Sequence, residues 1–202
     1  RWHLHGSPIF LTIGGIEPRK NSLNLLRAFA AVRQDLPEAQ LVIAGGETLF
    51  DYHSYRETFF DLAQQLEISI GQSLILPGVV ADAELPALYR LADAFVFPSL
   101  KEGWGLVLLE AIASGLPVIT SDQFPFTEFL NPQQAVLVNP HDPAAIAQAM
   151  REICQPQLAQ SLVQDSQSIL THHTWEASAR LHLNHYQNLL TRLVASNVQL
   201  SP

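Results

Sequence analysis

Short continuous apolar runs alternate with stretches of helical periodicity along the chain, and this alternation limits the fold more than any other feature. The runs are PIFLTIGG (8–15), QLVIAGG (40–46), SLILPG (73–78), AFVFPS (94–99), LPVITSD (116–122) and QAVLVNP (134–140). A strand with one wet face alternates apolar and polar residues. These runs do not, so both of their faces are covered. Between the first two runs, Leu25, Leu26, Phe29, Val32 and Leu36 fall at helical spacing, with Asn21 or Ser22 as cap and Pro37 as stop. Further helices are predicted over 55–68, 82–94 (capped by Asp82, with Pro86 near its first turn), 105–115, 142–154, 158–170 and 175–195. Most of Leu181, Leu183, Tyr186, Leu189, Leu190 and Leu193 on the last helix are expected in the core. The order predicts an α/β fold: one doubly wound unit, a mostly parallel six-stranded sheet with helices on both faces. Such sheets bind ligands at the carboxyl ends of their strands, near the switch point. That edge holds the loops 14–21, 45–54, 77–82, 98–105 and 121–128.

Bulk properties narrow the partners. The chain has 202 residues, with Lys+Arg 11 against Asp+Glu 19 and a net charge of -8. That balance argues against a binder of duplex nucleic acid or of anionic membranes, which need clustered base. A small anion needs only a few cations and amides. One cysteine, Cys154, leaves no internal disulfide framework and fits a reducing compartment. No apolar run reaches the ~18–20 residues of a membrane span, and no signal peptide is visible. The chain opens at Arg1 without Met, as an excised domain would. The histidine pairs His3/His5 and His172/His173 lack metal-ligand spacing, so no tightly bound metal is expected.

Two loops carry chemistry. GGIEPRKN (Gly14–Asn21) follows the first strand and opens a helix. Its glycines let backbone approach a ligand, a helix N-terminus favours anions, and Arg19 and Lys20 add charge. A phosphate site and a plain turn with a solvated basic pair are both compatible with it. It is neither a Walker loop nor a dinucleotide fingerprint. In PSLKEGWGLVLLE (98–110), Gly103 and Gly105 flank Trp104 where a helix begins. Free amides there can grip phosphate. Glu110 lies five residues further, roughly 7–8 Å along the axis. A carboxylate there matches a vicinal diol. Glu102 has a structural alternative, a capping box with Ser99. Glu110 as a merely exposed helix position is a weaker alternative, because its neighbours are apolar almost all round. Glu128 either touches ligand or caps a helix, and the cap is favoured.

The segment PSLKEGWGLVLLEAIASGLPVITSD resembles the E-x7-E signature of family 4 retaining glycosyltransferases, in the nucleotide-sugar lobe of the GT-B fold. IGGIEPRKNSLNLLRAF, LILPGVVADAELPALYRLADAFVFPS and TWEASARLHLNHY are similar to other parts of that lobe, so the likeness covers about Pro8 to Leu190. The resemblance implies a Rossmann-like C-terminal lobe that binds a nucleoside-diphosphate sugar as substrate, without a cofactor. Lys20 would contact the diphosphate and Glu102 the sugar hydroxyls, these two being the catalytic residues. Gly14, Gly15, Arg19, Gly103, Trp104, Gly105 and Leu106 would line the donor, Glu110 would hold the ribose, and Gly78, Val79 and Val80 would face the base. Two departures stand out. Gly15 occupies a position where the family often has Arg, and Trp104 one where Phe is more usual. EPRKN leans towards GDP-mannose, with UDP-glucose next, hence a mannosyltransferase. The resemblance also implies a preceding acceptor lobe that residues 1–202 lack, with 1–7 as a flexible remnant between the lobes and the last helix crossing toward that lobe, which would leave part of its apolar face exposed here. This lobe alone would then bind donor without transferring sugar. The implied location is cytoplasmic, with any attachment to the inner membrane face made through the absent lobe. The competing reading is a non-catalytic doubly wound regulatory or interaction module. Loss of Lys20, Glu102 or Glu110 would favour it, and all three are present.

Overall fold

All six apolar runs form strands. The computed structural model describes residues 2–46 and 52–198, with side chains through Arg192. Its strands are β1 (Ile9–Ile13), β2 (Gln40–Ala44), β3 (Leu74–Gly78), β4 (Ala94–Phe97), β5 (Val118–Ser121) and β6 (Val136–Val138). They lie in the order β3-β2-β1-β4-β5-β6, and every neighbouring pair is parallel. Chain direction across the sheet reverses between β1 and β4, where Leu11 lies opposite Phe95. That is the switch point.

The helices are α1 (Ser22–Arg33), α2 (His53–Gln65), α3 (Leu85–Leu91), α4 (Leu106–Ala113), α5 (Pro143–Glu152), α6 (Pro156–His172) and α7 (Trp175–Val198). Phe10, Leu41, Ile43, Val96 and Ile119 join one core with Leu26 and Phe29 of α1, Phe59 of α2 and Met150 of α5. Alternate strand residues point to the opposite face. There Leu11, Val42, Phe95, Phe97 and Val118 are also buried, with Phe95 against Tyr89 of α3 and Phe97 against Phe126. Burial on both faces is why the strands lack polar alternation. Asp142 caps α5, its Oδ1 accepting from the amides of Ala144 and Ala145.

Three sequence expectations are corrected. Asp82 does not cap α3, which starts at Leu85. With Asp82 as cap, Pro86 would sit where its missing N–H should bond the Asp82 carbonyl, so the helix begins one residue before the proline. Asn21 precedes α1 with φ 61° but makes no side-chain cap; its amide is used elsewhere. Leu181, Leu183, Tyr186, Leu189 and Leu190 are 54–62% exposed, not core. The side chain of Leu193 lies outside the described residues.

The chain separates into two compact units, Arg1–Gln167 and Ser168–Pro202. The first holds the sheet. The second holds the end of α6 and α7, whose start is capped by Thr174 Oγ1 accepting from the Ala177 amide.

The predicted ligand edge is formed by the loops after β1, β3, β4 and β5. Within the loop 45–54, residues 47–51 lie outside the described residues. At the other end of the sheet, His5 and Gly6 donate to Gln40 Oε1, and Ser7 donates to the Glu38 carbonyl. Among the described residues, no helix is long and apolar enough to cross a membrane.

Candidate functional site

The first loop is built around one lysine. Gly14 and Gly15 direct their amides to the Ala44 carbonyl, at 2.7 and 3.4 Å. Gly14 has φ 129°, and a Cβ there would lie 2.5 Å from Lys20 Cε. Glycine therefore leaves the channel through which the lysine chain runs. Lys20 Nζ ends 2.7 Å from Glu102 Oε1 and 4.5 Å from the centroid of the Phe97 ring. Burial pushes the Lys20 pKa below the usual lysine value, while its hydrogen bond to Glu102 pulls the other way.

Arg19 crosses the same ground. Its Nε donates to Glu17 Oε2 at 2.7 Å, and its Nη1 to both oxygens of Glu102 at 3.1 Å. Glu17 is buried, and its carboxylate aims the guanidinium of an arginine whose side chain is 41% exposed. Glu102 thus meets two cations, and its Oε1 also lies 2.9 Å from Ser99 Oγ. This is a side-chain pair inside the loop. Because α4 begins only at Leu106, Ser99 and Glu102 form no capping box.

Long-range hydrogen bonds set this geometry. Asn21 Nδ2 donates to the carbonyls of Pro98 (3.0 Å) and Pro140 (2.6 Å), tying the loop after β1 to those after β4 and β6. The Leu100 amide donates to the Arg19 carbonyl at 2.7 Å. Ser121 Oγ and Gln123 Nε2 donate to the Ser99 carbonyl, at 2.7 and 3.1 Å. Sequence patterns did not single out Glu17, Ser121 or Gln123. A carboxylate beside Arg19 and Lys20 in a short loop was a usable signal for Glu17.

The second loop ends at α4. Gly105 precedes it with φ 99°, no side chain caps the helix, and a Cβ at 105 would sit 3.0 Å from Phe126 Cε1. The first-turn amides of an uncapped helix are an anion site. In α4 the Leu108 amide is already given to the Gly105 carbonyl at 2.9 Å, and in α1 the Leu23 amide is given to Tyr55 Oη, so each helix has one first-turn amide in use. Trp104 stacks on Phe129 with ring centroids 4.4 Å apart, Leu106 is exposed, and nothing crowds Gly103. Glu110 is an exposed residue of α4, and its Oε2 accepts from Tyr89 Oη at 2.8 Å. The structure thus brings Arg19, Lys20 and Glu102 into one cluster and leaves Glu110 apart from it, further along α4. Gly78 (φ 71°) accepts at its carbonyl from the Gly45 N–H. Val79 and Val80 line an open groove of about 370 Å³ along the β3 edge, with Trp2, His3 and Ile70. Neither Lys20, Glu102 nor Glu110 lines that groove. Glu128 stands exposed in a 3-10 turn that has no side-chain cap.

Known proteins share this arrangement of elements. The family described as Glycosyl transferases group 1 matches residues 3–167. The serotype-specific mannosyltransferase WbdA of Escherichia coli is 33% identical over 142 residues, spanning 70% of this chain and 17% of that protein. Among solved structures, the sucrose-phosphate synthase of Thermosynechococcus elongatus superposes with TM-score 0.79 at 28% identity, over 92% of this chain and 46% of that one. The C-terminal domain of the glycosyl transferase group 1 family protein LpcC from Francisella tularensis gives TM-score 0.70 at 25% identity, over 82% of this chain and 84% of that domain. The chain therefore spans less than half the length of the first two relatives, and it belongs to the glycosyl transferases of group 1.

Proposed function

We propose that this chain is the donor-binding, C-terminal lobe of a family 4 retaining glycosyltransferase. The whole protein would move a hexose from a nucleoside-diphosphate sugar to an acceptor held by another lobe. GDP-mannose is the favoured donor, with UDP-glucose next. One observation carries the reading. Lys20 and Glu102 meet at the switch point, beside the uncapped start of α4, with Glu110 further along that helix.

The chemistry follows from charge. As the bond from sugar C1 to the diphosphate breaks, negative charge builds on the β-phosphate. Lys20 and the amides that head α4 face that charge in a partly buried site, where preorganised donors act most strongly. Without ligand, Glu102 serves as counter-ion to Lys20 and Arg19. An arriving diphosphate competes for both cations and frees Glu102 oxygens for sugar hydroxyls. Arg19, aimed by Glu17, supplies the second phosphate cation that Gly15 does not. Glu110 binds the ribose diol. The lobe alone binds donor and transfers nothing.

Calorimetric titration with GDP and UDP tests this. One of them is expected to bind, with an affinity about tenfold lower for Glu110→Ala, the equivalent of one charged hydrogen bond. Absence of binding by both nucleotides at millimolar concentration would end the donor-lobe reading.

A further inference from the structure

We propose that Tyr89 is a positioning residue for the nucleotide: its hydroxyl anchors one oxygen of Glu110 and leaves the rest of the carboxylate to the ribose diol. The proposal rests on the donor-lobe reading above.

Tyr89 sits on α3 and is 2% exposed. Its ring packs on Phe95, centroids 5.6 Å apart. Its hydroxyl lies 2.8 Å from Glu110 Oε2 and 3.4 Å from the Val107 carbonyl. The single hydroxyl proton goes to the nearer, charged acceptor. Burial first, and the Glu110 charge second, push the Tyr89 pKa far above the usual tyrosine value. It therefore remains a donor at any pH at which the protein works.

Glu110 needs such an anchor. An exposed glutamate on a helix samples several rotamers, and binding must freeze them. A fixed partner for Oε2 removes part of that cost beforehand. Oε1 and the second lone pair of Oε2 can still accept from two hydroxyls. The fold itself has little need of the hydroxyl. The face of α4 nearest the sheet is filled by Leu108, Ala111 and Ile112. Phenylalanine at 89 keeps the ring and leaves only a carboxylate that water can reach, so the Tyr89→Phe variant folds.

The test uses the 202-residue chain, with GDP, UDP and their 2′,3′-dideoxy counterparts titrated into wild type, Tyr89→Phe, Glu110→Ala and the double variant. Thermal melting checks the fold of each. Tyr89→Phe is expected to weaken the ribonucleotide about three- to tenfold and the dideoxynucleotide by less than about twofold, as loss of preorganisation at one hydrogen bond implies. In the Glu110→Ala background, Tyr89→Phe should add nothing. Equal weakening of both nucleotides, or the same loss without Glu110, overturns the positioning role and leaves Tyr89 as packing. A wild type that binds ribo- and dideoxynucleotides equally well removes the ribose role of Glu110, and that of Tyr89 with it. If neither base binds, the donor-lobe reading itself falls.

Discussion

Glu102 and Glu110 stand eight residues apart in sequence and live in opposite surroundings. Glu102 has a side chain 10% exposed, gripped by Lys20 and Arg19 and adjoining Ser99. Glu110 is exposed and held by one tyrosine. Among the described residues, the first is part of the architecture that joins the loops after β1 and β4. The second can change without disturbing any other loop. On the proposed function, these two motif positions would carry different kinds of energy: Glu102 would couple folding to binding, whereas Glu110 would act on binding alone.

The largest effect is expected at Lys20. Lys20→Met should cost about a hundredfold in nucleoside diphosphate affinity, roughly two charge-assisted hydrogen bonds. Melting should shift little, because Arg19 Nη1 still donates to both oxygens of Glu102. Unchanged affinity would remove Lys20 from the phosphate site. Next comes Glu102→Ala, which strands a largely buried ammonium. Stability should fall by about 2 kcal/mol, read as a melting point lower by roughly 4–8 °C. A Glu102→Ala protein as stable as wild type would place Glu102 in the same class as Glu110 and dissolve the contrast. Glu110→Ala should leave stability within about 0.5 kcal/mol, as surface substitutions do, while weakening the nucleotide.

At pH values near neutrality the smallest effect is that of pH, because Lys20 loses its proton only as pH approaches its folded-state pKa. On the proposed function, the ammonium form of Lys20 is the one that would bind phosphate. Affinity is therefore complete below the folded-state pKa of Lys20 and is lost as pH rises through it. Burial lowers that pKa from 10.5, so the loss should begin at lower pH than for an ordinary lysine. Affinity measured as pH is raised from neutrality should show this limb in wild type and not in Lys20→Met. A limb that persists in Lys20→Met belongs to another group.

The sequence made the sheet legible, and it singled out the residues on which the proposed site rests, for one physical reason each. Continuous apolar runs bounded by turn residues fit strands covered on both faces; all six are strands, fully buried in β2, β4 and β5 and partly exposed in the edge strands β3 and β6. Lys20, Glu102 and Glu110 are charges beside glycine turns or on an apolar helix, where a charge needs a purpose. What stayed hidden depends on distant partners. The Asn21 amide was open to reading as a cap, and nothing local shows that it reaches the carbonyls of Pro98 and Pro140. Nothing local shows that the Tyr89 hydroxyl reaches Glu110, although a buried tyrosine hydroxyl usually has a partner. The leucines of α7 misled, because helical spacing shows that a stripe exists and not whether anything covers it.

The central claim is a division of labour: Lys20 and the start of α4 hold the diphosphate, and Glu110 holds the ribose. Competition titration of inorganic pyrophosphate against the bound nucleoside diphosphate measures it directly in wild type, Lys20→Met and Glu110→Ala. The account predicts that Lys20→Met weakens both ligands, whereas Glu110→Ala weakens the nucleotide and leaves pyrophosphate unchanged. Equal weakening of pyrophosphate and nucleotide by Glu110→Ala would contradict it.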